Sequence, residues 1–203
     1  MLGAWIGNKT EDLTPWEPIL DKINTKLERW KRSHPSLNRR KVIMQMVVGG
    51  HTQFLSQAQG MPKEIEETLN RTIKAFIWED DSSPRIANET LRNPIAEGGL
   101  DLLDLEIRNE AIDIMWLKAY LNFSPKRPEW AIITDLIIEA SAPEGLVKKA
   151  VINPFLQKWN HLIRRNTQKV NNDIKRMIKV AKKFNTNLAA IRLTPQLSAQ
   201  LPA

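Results

Sequence analysis

At 203 residues with 42% apolar side chains, the chain is long enough for one full core, or for a core plus an appendage. It has no cysteine, which excludes disulfides and cysteine-ligated zinc, and no apolar run approaches the ~20 residues of a membrane span. The net charge of +7 is uneven: residues 1–60 carry nine cations and five anions, 61–145 carry nine and seventeen, and 146–203 carry twelve and one, which points to an anionic partner at the two ends.

In chain order, the opening MLGAWIGNKT lacks the basic flank and long apolar stretch of a signal peptide, so a soluble, intracellular chain without a membrane partner is expected. Thr14-Pro15-Trp16-Glu17 reads as a capping box with proline at the first helical position. The helix behind it has the stripe Trp16, Ile19, Leu20, Ile23, Leu27 and Trp30, with both tryptophans expected in the core, and should stop before Pro35. A second helix is expected after Ser36, burying Leu37, Ile43, Met44, Val47, Val48, Phe54 and Leu55. Gly49-Gly50 weakens its middle and suggests a kink or a close crossing. Arg39-Arg40-Lys41 crowds cations into the first turns, where they oppose the helix dipole, and this favours a ligand over a stabilising role.

A third helix from Pro62 carries the stripe Ile65, Leu69, Ile73, Phe76 and Ile77, with Glu64, Glu66 and Glu67 in the turns where the dipole favours them. At its end stands Trp78-Glu79-Asp80-Asp81, the aromatic-x-Asp-Asp form found at polymerase metal sites. There the pattern sits on a tight hairpin between strands. Here the preceding apolar residues step by three and four, so Trp78 belongs to a helix end and the acids to an exposed loop. No further carboxylates of a two-metal site precede it. His34, His51 and His161 follow no ligand spacing, and neither a metal nor another cofactor is expected.

Pro94, Gly98-Gly99 and the alternating Leu100-Asp101-Leu102 read as a turn leading to a helix capped by Asp104. Gly98-Gly99 lacks the strand and lysine of a phosphate loop and reads as structural. The next helix is expected to bury Leu105, Ala111, Ile112, Met115, Trp116 and Ala119 and to end before Pro125; a shorter apolar one, Trp130 to Ile138, docks on it. Beyond lie a helix started by Asn153-Pro154, burying Phe155, Leu156, Trp159, Leu162 and Ile163, and one capped by Asn171-Asn172-Asp173, burying Ile174, Met177, Ile178, Ala181 and Phe184. Lys175, Arg176, Lys179, Lys182 and Lys183 make the last helix a surface for phosphates, for an acidic membrane, or for the acidic middle of this same chain. The expectation is an all-α protein: a three-helix bundle within 1–80, a Gly-Gly-Leu connector over 81–145 and a basic helical tail over 146–203. Both ends read as cut.

The order of these elements resembles the region after the palm in reverse transcriptases of non-LTR (LINE-type) retrotransposons. Leu2-Gly3 with Ile6-Gly7 resembles the segment leaving the palm. Leu27 with Trp30, Ser36-Leu37 followed by Arg40 and Val42, Phe76-Ile77-Trp78, Pro94 with Gly98-Gly99-Leu100, and Trp116 are similar to successive family motifs. Arg39 stands where the family usually has glycine. Asn153-Pro154-Phe155-Leu156 and the Lys/Arg helix are similar to the downstream connector of fungal-type elements. The resemblance implies a thumb-like bundle that grips a template–primer duplex, without the palm's catalytic aspartates and without an endonuclease. It makes the chain a non-catalytic fragment whose partners are an RNA or RNA–DNA duplex and a palm-and-fingers region, nuclear if it acts as a retroelement component. The residues expected on the phosphate backbone are Arg29, Lys31, Arg32, Arg39, Arg40, Lys41, Arg164, Arg165, Lys169, Lys175, Arg176, Lys179, Lys182 and Lys183. The alternatives are a helical protein-interaction scaffold and a retroelement relic without selected function.

Overall fold

Helix formation runs through the whole of what is described. The computed structural model describes residues 13–79, 86–122, 124–140 and 171–184, and every regular element among them is helical, with no strand. The protein is all-α. Its chain divides into two units, Met1–Asn109 and Glu110–Ala203. The Gly-Gly-Leu segment therefore groups with the first helices rather than forming a connector of its own.

In the first unit, Thr14–Trp16 forms a 3-10 turn and α1 spans Glu17–Lys31. The expected capping box is not made. The Trp16 amide bonds to the Leu13 carbonyl (2.9 Å), and neither helix start has a side-chain cap. Pro18 near the start of α1 removes one amide that would have no helical partner. Trp16, Ile23 and Leu27 are buried as expected, but Trp30, in the last turn, is 44% exposed and is not a core residue.

From Leu37 to Gln59 the chain is one continuous helical run: α2 (Leu37–Met44), a π-helical turn (Gln45–Gly49) and α3 (Gly50–Gln59). The sequence accounts for the π turn. The inward rows are Ile43, Val47, His51, Leu55, Gln59 and Met44, Val48, Thr52, Ser56, each advancing by four residues. Every step of four overshoots an α-turn by about 40°, so four steps would carry a row about 160° round the helix. The wider turn takes up one residue and returns both rows to the core. The expected weak point at Gly49-Gly50 is thus a local widening ending at Gly49. Phe54 lies off both rows and is 50% exposed, contrary to expectation. Thr52 is fully buried, and its hydroxyl donates to the Val48 carbonyl (2.7 Å).

Gly60, at φ 72°, ends α3, and α4 runs from Lys63 to Ile77. Its stripe Ile65, Leu69, Ile73, Phe76 and Ile77 is wholly buried. The core of this unit also takes in Leu91 from the short α5 (Asn88–Arg92), and Leu102 and Leu105 from beyond the double glycine. That return is tight. Gly98 has φ 81°, and a Cβ on Gly99 would stand 2.0 Å from the Asn93 carbonyl oxygen. The amides of Leu100 and Leu102 both donate to the Leu91 carbonyl (3.0 Å each). The glycines are structural, and Asp104 caps the following α6 (Leu105–Tyr120) by accepting from the Ile107 amide (3.1 Å).

The second unit has a separate core of Leu117, Tyr120, Ala131, Ile138, Ile174, Met177, Ile178 and Ala181. It is built from the later part of α6, α7 (Glu129–Ala140) and α8 (Asn172–Lys183). Of the expected α6 stripe, Leu105 and Ile112 are buried, but Met115 is 62% exposed, Trp116 and Ala111 are also exposed, and Leu117 and Tyr120 face inward instead. Tyr120 fixes that choice because its hydroxyl has a partner, Asp135 (2.8 Å). Asn171 caps α8 through the Asp173 amide, as its sequence foretells. Phe184, expected inside, is exposed, and Val180 is buried in addition to the expected row.

Candidate nucleic-acid interface

The cations expected to bind phosphate separate into three groups. Arg29 in the last turn of α1, Arg32 in the turn that follows and Arg39 in the first turn of α2 are exposed. The short turn from Arg32 to Ser36 joins those two helix ends, so the three arginines share one end of the bundle. Lys31 lies among them, half-buried, in an ion pair with Glu28 (3.1 Å). Lys22 and Lys26, missed in the sequence-based set, continue the exposed face of α1 at helical spacing from Arg29. The Nζ of Lys26 lies 3.0 Å from Nε2 of His51.

The second group is turned into the fold. The Arg40 guanidinium donates to the Pro35 carbonyl (2.8 Å), the Ile77 carbonyl (2.7 Å) and the Glu79 carboxylate. Its side chain is only 14% exposed, and burial pulls its pKa below the ordinary arginine value. The expectation that Arg39-Arg40-Lys41 has no stabilising role is corrected at this residue. Arg40 opposes the dipole of its own helix but sits at the carbonyl end of α4, where a cation is favoured. Lys41 is similarly enclosed and pairs with Asp101 (3.5 Å). Only Arg39 of the triplet points outward.

The third group is the basic tail. Arg164, Arg165 and Lys169 lie outside the described residues. On α8, Arg176 pairs with Asp113 (3.4 Å) and Asp173 (2.7 Å), and Lys183 pairs with Glu110 and lies 5.6 Å from the Phe184 ring centroid. Lys179 and Lys182 are exposed, and Lys175 is half-buried. Part of this helix's charge is therefore taken up by the acidic middle of the same chain. Asp113 is itself pushed above the usual carboxylate range by burial, with Arg176 pulling the other way.

The Trp78-Glu79 pair closes α4. The Trp78 amide donates to the Lys74 carbonyl (3.1 Å), and Glu79 adopts the left-handed φ of 51° and meets Arg40. A helix, not a strand, leads into the pattern, so the polymerase hairpin is absent at these residues. Asp80 and Asp81 lie outside the described residues. Among the described residues no group of three or more His, Asp and Glu is placed to hold a metal ion, and no helix is long and apolar enough to cross a membrane.

Sequence reasoning also missed a buried polar cluster. Glu66, 6% exposed, accepts from Lys63 (2.7 Å) and from Asn109 (3.0 Å). Arg108 donates to the Gly49 carbonyl (3.3 Å) and to Ser56 (3.4 Å). These contacts tie the start of α6 to α3 and α4. The signal was faint: Glu66 in a first turn reads as an ordinary dipole partner.

Comparison with known proteins returned no match: no family model, no curated protein and no solved structure aligns significantly with the chain.

Proposed function

We propose that the first unit holds the phosphate backbone of an RNA or RNA–DNA duplex, without catalysis, in the manner of the reverse-transcriptase thumb that the sequence resembles. The supporting observation is the cluster of Arg29, Arg32 and Arg39, all exposed where α1 ends and α2 begins, on helices whose opposite faces form one core. Gripping a backbone requires fixed cations and a stiff support rather than base-reading side chains. The enclosed Arg40 and Lys41 supply the support; the three exposed arginines supply the contacts. On this reading the polymerase chemistry belongs to a palm-and-fingers partner, and the chain alone adds no nucleotides to a primed template.

The test is binding of the whole chain to a labelled RNA–DNA hybrid across a salt series. Each phosphate contact contributes roughly 0.7–0.9 to the slope of log affinity against log salt. A variant with Arg29, Arg32 and Arg39 changed to alanine is expected to bind more weakly, with a slope flatter by about 2–3. An unchanged slope moves the contacts elsewhere and refutes the reading.

A second reading, a helical scaffold for a protein partner, is favoured by Ile132, Ile133 and Leu136 of α7, which are 52%, 58% and 60% exposed. It requires affinity for a partner that is nearly independent of salt.

A further inference from the structure

Ser124-Pro125-Lys126-Arg127 links α6 to α7 in an exposed turn. The Arg127 amide donates to the Ser124 carbonyl (2.9 Å), and Ser124, Pro125 and Lys126 are all exposed. The Ser124 hydroxyl oxygen accepts a long bond from the Lys126 amide (3.3 Å) and is exposed, so it is open to an incoming electrophile. Four Ser-Pro or Thr-Pro pairs occur in the sequence, at Thr14, Ser83, Ser124 and Thr194. Three residues after the hydroxyl they place Glu17, Ile86, Arg127 and Leu197, so only Ser124 combines the proline with a cation at that distance. Proline removes the backbone N–H after the acceptor. An enzyme that selects such a site reads the missing donor and the ring at the next position, both presented by the exposed Pro125.

Arg127 is not an isolated surface charge. It grips Asp135 of α7 with two nitrogens (2.5 and 3.0 Å) and lies 5.4 Å from the Tyr120 ring centroid. Asp135 also accepts the Tyr120 hydroxyl (2.8 Å). Arg127 thus joins the turn to the latch that holds α6 and α7 together. Ser124 and Arg127 are the first and last residues of one turn, about 7 Å or less apart at Cα, which is within reach of a phosphoserine and a guanidinium.

We propose that Ser124 is a phosphate acceptor for a proline-directed protein kinase, and that the added phosphate draws Arg127 away from Asp135. In the transfer, the serine oxygen attacks the γ-phosphorus of ATP, the bond to the β-phosphate oxygen breaks, ADP leaves, and the hydroxyl proton passes to the kinase's base. The product carries about −2 charge and three acceptor oxygens. Against the single charge of a carboxylate already shared with Tyr120, it is the stronger partner for a two-pronged guanidinium. The modification therefore loosens the α6–α7 latch.

The experiment treats the full chain, and a Ser124→Ala chain, with a purified cyclin-dependent kinase and ATP, and maps the phosphate by mass spectrometry. One phosphate per wild-type chain, located on Ser124 and reduced to background in the variant, is the expected result. Absence of incorporation, or equal incorporation in the variant, overturns the assignment. Thermal unfolding of modified and unmodified wild type then tests the exchange: the phosphorylated chain should unfold at lower temperature, and identical midpoints overturn the proposed loss of the Arg127–Asp135 pair.

Discussion

Changing Arg40 to alanine separates a cation that holds the fold from one available to a ligand. Arg40 makes two charge-assisted bonds to carbonyl oxygens, those of Pro35 and Ile77, and an ion pair with the half-exposed Glu79. Hydrogen bonds from a charged donor contribute about 1.5–3 kcal/mol each. The lower end applies because truncation opens a path for water to the freed carbonyls. The exposed ion pair adds about 0–1 kcal/mol. The expected loss for Arg40→Ala is thus about 3–4 kcal/mol. Arg39, its exposed neighbour, should cost within about 0.5 kcal/mol on the same change. Urea unfolding followed by tryptophan fluorescence measures both, since Trp16 is 1% exposed in the same core. With a slope near 2 kcal/mol per molar, the Arg40→Ala midpoint should fall by about 1.5–2 M. Equal midpoints for the two variants would refute the argument. So would an Arg40→Ala chain that keeps its stability and loses only nucleic-acid binding, because Arg40 would then be a phosphate ligand.

Other outcomes follow from single sites. Gly99→Ala should destabilise the first unit by several-fold more than any exposed substitution, since its Cβ would strike the Asn93 backbone; Gly50→Ala, with nothing within 4 Å, should stabilise it by about 0.5–1 kcal/mol, both read by urea midpoint. The chain has one tyrosine, so absorbance during alkaline titration reports Tyr120 alone. Burial, and then Asp135, raise its pKa far above the ordinary value, so no ionisation is expected until the second unit unfolds. The raised value stabilises the fold fully below about pH 10, and that contribution is lost as pH climbs toward the folded value. Asp113 is also raised, by burial first, so its contribution is greatest below the ordinary carboxylate pKa and disappears as pH rises through the folded one. Asp113→Asn should flatten that dependence in the amide exchange of α8.

Helices that carry a single clean stripe were legible in the sequence. The α4 row and the Asn171 cap of α8 lie where their residues put them, and the role of Gly98-Gly99 followed from the missing strand and lysine. What failed was orientation at the ends and in apolar-rich helices. Trp30, Phe54, Trp116 and Phe184 are large and apolar and continue the expected apolar rows of their helices, which placed them inside; all are exposed. In α6, apolar residues occupy more than one face, and the inward row was decided by the partner of the Tyr120 hydroxyl, which lies fifteen residues away in the chain. The candidate site was legible as a set of cations but not as a division of labour. Nothing local to Arg39-Arg40-Lys41 reveals that the carbonyl end of α4, thirty-seven residues on, receives Arg40. The apportioning of α8 cations to Glu110 and Asp113 was foreseen only as a charge balance between regions.

The π turn at Gln45–Gly49 has a consequence for how this chain tolerates changes in length. A π turn inside an α-helix is equivalent to one inserted residue whose effect on helical phase is confined to the turn. Loss of a single residue there, such as the 64%-exposed Met46, would convert the run from Leu37 to Gln59 into unbroken α-helix while both flanks kept their inward rows. The same deletion placed within α4, which has no such turn, would rotate every later residue by about 100° and expose half of a buried stripe. Single-residue gaps among descendants of this sequence should therefore gather between Met44 and Gly50 and avoid Lys63–Ile77.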